Sequence, residues 1–186
     1  LQRGPVDPLL RFVAGRQATR IRGRLKAFVP GRALDDDFTV LAELDNGGIA
    51  TIAASQITIG AQNDNGFRVC GTTGTLEWSI IDHTVLKHFA GGQPVKLYRQ
   101  GAEYGYFPGS IKPYLRLPSG HPEGFHEALG NLHRTLEWTI RGRRGEKVPT
   151  PYDHPGIVDG VAGMAFVEAA VASASQDGEW VEMHKS

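Results

Sequence analysis

Three of the seven histidines in this 186-residue chain sit in one short stretch, SGHPEGFHEALGNLHR, at residues 119–134. Imidazoles placed this way could ligate a metal, relay protons, or hydrogen-bond a hydroxyl-rich ligand. The spacing argues against a metal. His126 and His133 share a helical face but lie seven residues apart, about 10 Å along a helix axis. Gly130 occupies the position where an HExxH site needs its second histidine. No metal site is therefore expected. His121 precedes Pro122 at a helix entrance, where free backbone N–H groups favour bound oxygens and the positive dipole end keeps an imidazole neutral. A neutral imidazole can both donate and accept a hydrogen bond. Glu123 adds an acceptor in the same turn. A plainer reading has His121 capping the helix and Glu123 complementing its dipole. His126 lies one position beyond the helix's apolar stripe, as a packing residue or a third polar contact. His133 and Glu137 continue that face into solvent or pair with each other.

Other chemistries find less support. No G-x-G-x-x-G follows a strand, and Gly71-Thr72-Thr73-Gly74 lies between two strands rather than before a helix, so a phosphate cradle is not expected. Asp35-Asp36-Asp37 alternate sides in an extended chain and read as a solvated strand entrance. Ser55, Asp82 and His83 belong to no nucleophile elbow, which leaves a hydrolase as a remote third reading.

Twenty basic and twenty acidic residues cancel, so neither nucleic acid nor an anionic membrane is expected as a partner. A single cysteine, Cys70, excludes an internal disulfide and fits a reducing, cytoplasmic setting. The most apolar run, VDGVAGMAFVEAAVASAS, carries Asp159 and Glu168 and so is not an uninterrupted membrane span. LQRGPVDP at residues 1–8 has no apolar signal core. The length suits one domain over residues 1–186.

The elements that must position these residues follow from periodicity. From 18 to 99 the chain reads as closely spaced strands: 21–29, 38–44, a return strand from 49, then 67–71, 75–81, 84–90 and 94–100. Phe38, Val40, Ala42 and Leu44 alternate on one side, and Asp45-Asn46-Gly47-Gly48 supplies a tight hairpin. Neighbours joined this closely must be largely antiparallel. Residues 100–120 form a long loop rich in Gly, Pro and aromatics, of a kind that is functional or mobile. The period then changes. Phe125, Leu129, Leu132, Leu136 and Ile140 mark an apolar stripe on a helix from about 122 to 142. A Pro-rich link (148–155) leads to a second helix at 157–175, crowded with Gly and Ala, and a last strand ends near Met183. Strands first and helices later predict an α+β fold: a mostly antiparallel open sheet with helices on one face and the other face available for oligomerisation.

In this order the pieces resemble the C-terminal domain of the glucose–fructose oxidoreductase/inositol dehydrogenase (Gfo/Idh/MocA) family. The resemblance rests on LLRFVAG (9–15), residues 35–63, FRVCGTTGTLEWS (67–79), SGHPEGFHEALGNLH (119–133) and residues 151–183. It implies a substrate-binding domain of an NAD(P)-dependent dehydrogenase acting on a sugar, polyol or derivative at a carbinol carbon. It also implies a homo-oligomer formed through the open sheet face. His121 and Glu123 of the G-H-P-E-G motif, with His126 as a third, are the implied substrate-binding residues. The family's Rossmann half, with its glycine motif and catalytic lysine, is not among these residues. The segment in which the family tends to carry a histidine reads Arg3-Gly4-Pro5-Val6-Asp7-Pro8. The chain alone is therefore expected to bind neither NAD nor NADP and to catalyse no hydride transfer. The alternative is a non-catalytic assembly module whose pocket is vestigial.

Overall fold

The computed structural model describes residues 6–149 and 154–183. Residues 3–5 of the segment compared with the family's histidine stretch, and residues 150–153 of the Pro-rich link, lie outside them. In chain order the elements are α1 (Val6–Ala14), β1 (Ala18–Lys26), β2 (Asp37–Leu44), β3 (Ile49–Ser55), β4 (Gly66–Cys70), β5 (Thr75–Ser79), β6 (Val85–Phe89), β7 (Lys96–Arg99), α2 (Phe125–Arg143), α3 (Ile157–Ser175) and β8 (Val181–Glu182). All strand pairings are antiparallel. The α+β expectation is borne out. The strands form two four-stranded sheets, ordered β3-β2-β1-β8 and β4-β5-β6-β7. They belong to two compact units: the chain up to Gln62 together with the part from Pro155, and Asn63–His154.

The first unit is built around alternation in β2. Phe38, Val40 and Ala42 point inward and meet Ile21, Ile52 and the Phe166, Ala169 and Ala170 face of α3. Small residues on α3 let it approach the sheet closely. Gly23 on β1 marks how tight that sheet is, since a Cβ there would stand 2.8 Å from Val40 Cγ2. α3 has the length and apolarity of a membrane-spanning helix, yet its buried face belongs to this core.

Two buried polar side chains complete the unit. β8 pairs with β1 only at Arg20 and Ile21, which leaves the next N–H on that edge, at Gly23, without a strand partner. Fully buried Ser173 takes its place: its Oγ accepts from Gly23 N at 2.9 Å and donates to Glu179 O at 2.6 Å. Asp36, expected at a solvated strand entrance, is instead buried. The chain ahead of it folds back, so that Phe28 N and Val29 N donate to its carboxylate at 2.8 and 3.0 Å, with Arg32 at 3.4 Å. The Phe28 bond leads in holding Asp36 below the usual carboxylate range.

The second unit has a thinner apolar interior. Its sheet is a meander with one charged face, where Arg68 and Lys87 flank Glu77. The Arg68 hydrogen bond is the main reason Glu77 lies below the usual carboxylate range. Phe67, Val69, Leu76, Trp78 and Leu86 fall on the other face by register. α2 overturns one expectation. Its stripe of Phe125, Leu129, Leu132, Leu136 and Ile140 is exposed, while Thr135 and Trp138 on the other side are buried. The reason is polar docking onto the 100–120 loop: Arg134 donates to Pro113 O at 2.9 Å, Asn131 donates to Tyr114 O at 3.2 Å, and the Trp138 and Tyr114 rings lie 6.3 Å apart.

Replacing Ser173 with Ala strands the buried Gly23 N–H and the Glu179 carbonyl. The expected loss is about 1–3 kcal/mol of unfolding free energy, measured by urea denaturation, with faster amide exchange at Gly23.

Candidate functional site

The Asn63–His154 unit holds a cavity of about 340 Å³, near the lower end of small-molecule sites at roughly 300–1,000 Å³. Three segments line it: the turn after β5 with Asp82 and His83, the end of β7 with Arg99, Gln100 and then Tyr104, and residues 119–122 with His121.

Each lining segment is fixed by a local interaction. After β5 the indole N–H of Trp78 donates to His83 O at 3.0 Å. Ser79 Oγ accepts from Ile81 N at 3.1 Å and donates to Asp64 at 2.9 Å. The His83 ring lies against Gly124, the N-cap of α2, where an added Cβ would stand 3.3 Å from Nε2. At the end of β7 the Tyr106 hydroxyl accepts from Arg99 N at 3.1 Å and donates to Arg99 O at 2.6 Å. Partial burial pushes that phenol upward in pKa. Tyr104 stacks on Tyr106 with ring centroids 4.9 Å apart.

His121 stands on a turn made possible by Gly120, at φ 79°, a conformation that costs glycine least. Its backbone N donates to Pro118 O at 3.2 Å, and Nδ1 lies 3.3 Å from Ser119 O. Both oxygens of Glu103 accept from Ser119 N, at 2.9 and 3.1 Å. Hydrogen bonding to Ser119, its side chain foremost, holds Glu103 below the usual carboxylate range, and His121 adds to the effect.

Of the three residues singled out from sequence, only His121 reaches the cavity lining. Glu123 is buried, its side chain 2% exposed. Its Oε1 accepts from Arg116 N at 2.6 Å and Leu117 N at 2.7 Å, and Oε2 faces the Arg116 guanidinium at 3.3 Å. This carboxylate is taken up by its own loop rather than turned to a ligand. α2 begins at Phe125, later than the sequence reading places it, so His121 does not cap it, and the acid of its first turn is Glu127 rather than Glu123, accepting from Gly124 N at 2.7 Å. That bond is the leading reason Glu127 lies below the usual carboxylate range. His126, in the first turn of α2, is exposed and edges onto Phe125. Sequence reasoning marked the 100–120 loop, which holds Gln100 and Tyr104, without naming either residue; it missed Arg99 and set His83 aside. The one signal for them was the aromatic- and glycine-rich composition of the loop that starts at residue 100.

The cavity offers cationic and imidazole donors on Arg99, His83 and His121, acceptors on Asp82 and Gln100, and an aromatic wall at Tyr104. Such a mixture suits a compact polyhydroxylated molecule. Among the described residues no three His, Cys, Asp or Glu side chains gather to hold a metal. All strand pairings among the described residues are antiparallel, so the glycine-rich turn from a parallel strand into a helix that cradles a dinucleotide pyrophosphate is not found among them.

Comparison with known proteins agrees with the fold. Residues 8–77 match the model of the GFO/IDH/MocA C-terminal domain. The uncharacterized oxidoreductase YfiI of Bacillus subtilis is 29% identical over 160 residues, covering 84% of this chain and 40% of its own length. An oxidoreductase from Sinorhizobium meliloti superposes with a TM-score of 0.85 at 34% identity, over 92% of this chain and 49% of that one. An inositol dehydrogenase homologue from Azotobacter vinelandii, in complex with NADH and myo-inositol, gives 0.80 at 29% identity, over 94% of this chain and 46% of that one. This chain thus spans less than half the length of each of these relatives.

Glu123→Gln removes a buried charge from two backbone donors and a guanidinium. The expected result is a loss of about 1–3 kcal/mol together with faster hydrogen exchange at the Arg116 and Leu117 amides. Unchanged exchange there would mean that the carboxylate does not hold the loop.

Proposed function

Starting from a chain that matches the GFO/IDH/MocA C-terminal domain in sequence and its oxidoreductase relatives in fold, we propose that residues 1–186 act as one substrate-binding and oligomerisation domain of an NAD(P)-dependent oxidoreductase, acting on a sugar, polyol or derivative. The observation that carries this reading is the cavity in which His121 and His83 converge with Arg99, Gln100 and Tyr104. Hydroxyl groups act as donor and acceptor at once, and this lining supplies both kinds of partner. The myo-inositol named with the Azotobacter relative is a ligand of the same chemistry. This chain's residues bind and orient the substrate. Glu123 serves the site as the residue that positions the 113–117 segment, and His126 stands outside the lining. Nucleotide binding falls to the part of such an enzyme that the relatives carry beyond the matched region.

The apolar side of the second sheet supports self-association. Phe67, Val69, Leu76, Trp78 and Leu86 share that face by register, and Leu76 is 38% exposed. The same feature favours the second reading, an assembly module in which the cavity is vestigial.

Two measurements separate these readings. Titrating the chain with myo-inositol is expected to shift the His121 and His83 ring signals in NMR spectra, and His121→Ala to weaken the binding. In an enzyme carrying the nucleotide-binding half, the same substitution should lower kcat/KM by about 10²–10⁴-fold if His121 meets the reacting hydroxyl, with cofactor affinity unchanged. By sedimentation, Leu76→Lys should turn an oligomer into a monomer. Self-association without any polyol binding would favour the assembly module.

A further inference from the structure

Two carboxylates close the 100–120 loop, and they hold neighbouring parts of its final stretch. Glu123 takes the Arg116 and Leu117 amides. Glu103 takes Ser119 N with both oxygens, at 2.9 and 3.1 Å. Ala102 N donates to Leu117 O at 2.9 Å, so the start and the end of the loop lie side by side at this neck. Gly101 leaves room for the arrangement. A Cβ there would stand 2.8 Å from the Tyr104 ring and 3.1 Å from Glu103 Oε2, crowding both side chains at once.

Glu103 is not among the residues lining the cavity, whereas Ser119, Gly120 and His121 are. Residues 118–121 form one turn: His121 N donates to Pro118 O at 3.2 Å, Gly120 sits at φ 79°, and Ser119 O lies 3.3 Å from His121 Nδ1. Among the described residues, the side chain that reaches the backbone of this turn from another part of the chain is that of Glu103. A carboxylate on a backbone N–H is a charge-assisted contact, stronger than a neutral one, and an irregular turn has no backbone ladder to hold it in its place. A binding side chain is effective only when its support keeps it in the productive geometry. We propose that Glu103 is a positioning residue of the polyol site, acting through Ser119 to fix the turn that presents His121 to the ligand. Glu103 itself touches no ligand. Without it the turn is free to shift, and His121 loses the orientation in which it meets a hydroxyl. This inference rests on the polyol-binding reading given above and adds to it a residue outside the lining.

The test reads the clamp first without ligand and then with it. In the free chain Glu103→Ala should speed amide exchange at Ser119 and move the His121 ring signals, while the thermal midpoint and the His83 ring signals stay as they were. Glu103→Gln keeps an acceptor oxygen for Ser119 N and should restore slow exchange. In calorimetry with myo-inositol, Glu103→Ala should weaken binding by about tenfold, and Glu103→Gln by less than about threefold. In a His121→Ala background, Glu103→Ala should cost less than about twofold, because a residue acting through His121 then has nothing left to position. A loss of equal size with and without His121 overturns the assignment, making Glu103 a general support of the loop or a ligand contact. Unchanged Ser119 exchange, or unchanged affinity in Glu103→Ala, also overturns it and leaves the polyol reading standing. If myo-inositol does not bind the unsubstituted chain, the polyol reading fails and the positioning role fails with it.

Discussion

A carboxylate shut away from water must have its oxygens filled by donors, because an ionised group left bare in a protein interior is far more costly than any single contact can repay. Glu123 meets this demand with two successive backbone N–H groups, from Arg116 and Leu117, and the Arg116 guanidinium. Arg116 then reaches Asn131 of α2 at 2.5 Å, and Asn131 reaches Tyr114 O at 3.2 Å. One buried charge thus joins the end of a long loop, the approach to α2 and the first turns of that helix. The cavity lies beside this knot. The turn carrying His121 immediately precedes Glu123 in the chain, and His83 rests on Gly124 immediately after it. An irregular segment of this length holds its shape through such polar closure, since it lacks the repeating backbone ladder of a sheet or helix.

The same logic recurs in the other unit with different chemistry. Where β8 stops after two residues, a serine hydroxyl completes the ladder between Gly23 N and Glu179 O. Where the chain turns ahead of β2, Asp36 collects the Phe28 and Val29 amides. In each case the polar side chain does what a further strand or a bound water would otherwise do. The apolar core of Ile21, Phe38, Val40, Ile52 and Phe166 supplies the driving force, and these hydrogen bonds decide how loops and ends close around it.

The regular elements were legible because periodicity is a local property. The alternation of Phe38, Val40 and Ala42 placed β2 and its buried side correctly, and the short turns required antiparallel neighbours. The motif around His121 identified a residue that does line the cavity. The stripe of α2 identified the helix but misled about its buried side, because Asn131, Arg134 and Trp138 find hydrogen-bonded and ring partners in the 100–120 loop that no helical wheel can reveal. Glu123 was misread in the same way. Its type and position suit a dipole or a ligand equally well, and only the fold of residues 113–117 shows which donors reach it.

Periodicity, turn residues and motif order were enough to determine the fold class, the order of the elements from β1 onward and one histidine that lines the cavity, since each depends on neighbours within a few positions along the chain, whereas α1 was not marked by them. Tertiary structure alone decided how the strands were shared between two sheets, which face of α2 is covered, and that His83, Arg99 and Gln100 meet His121 around one cavity. Those outcomes depend on hydrogen bonds and packing between segments far apart in the chain, as Arg20 pairs with Glu182, and a sequence records the partners without recording that they meet.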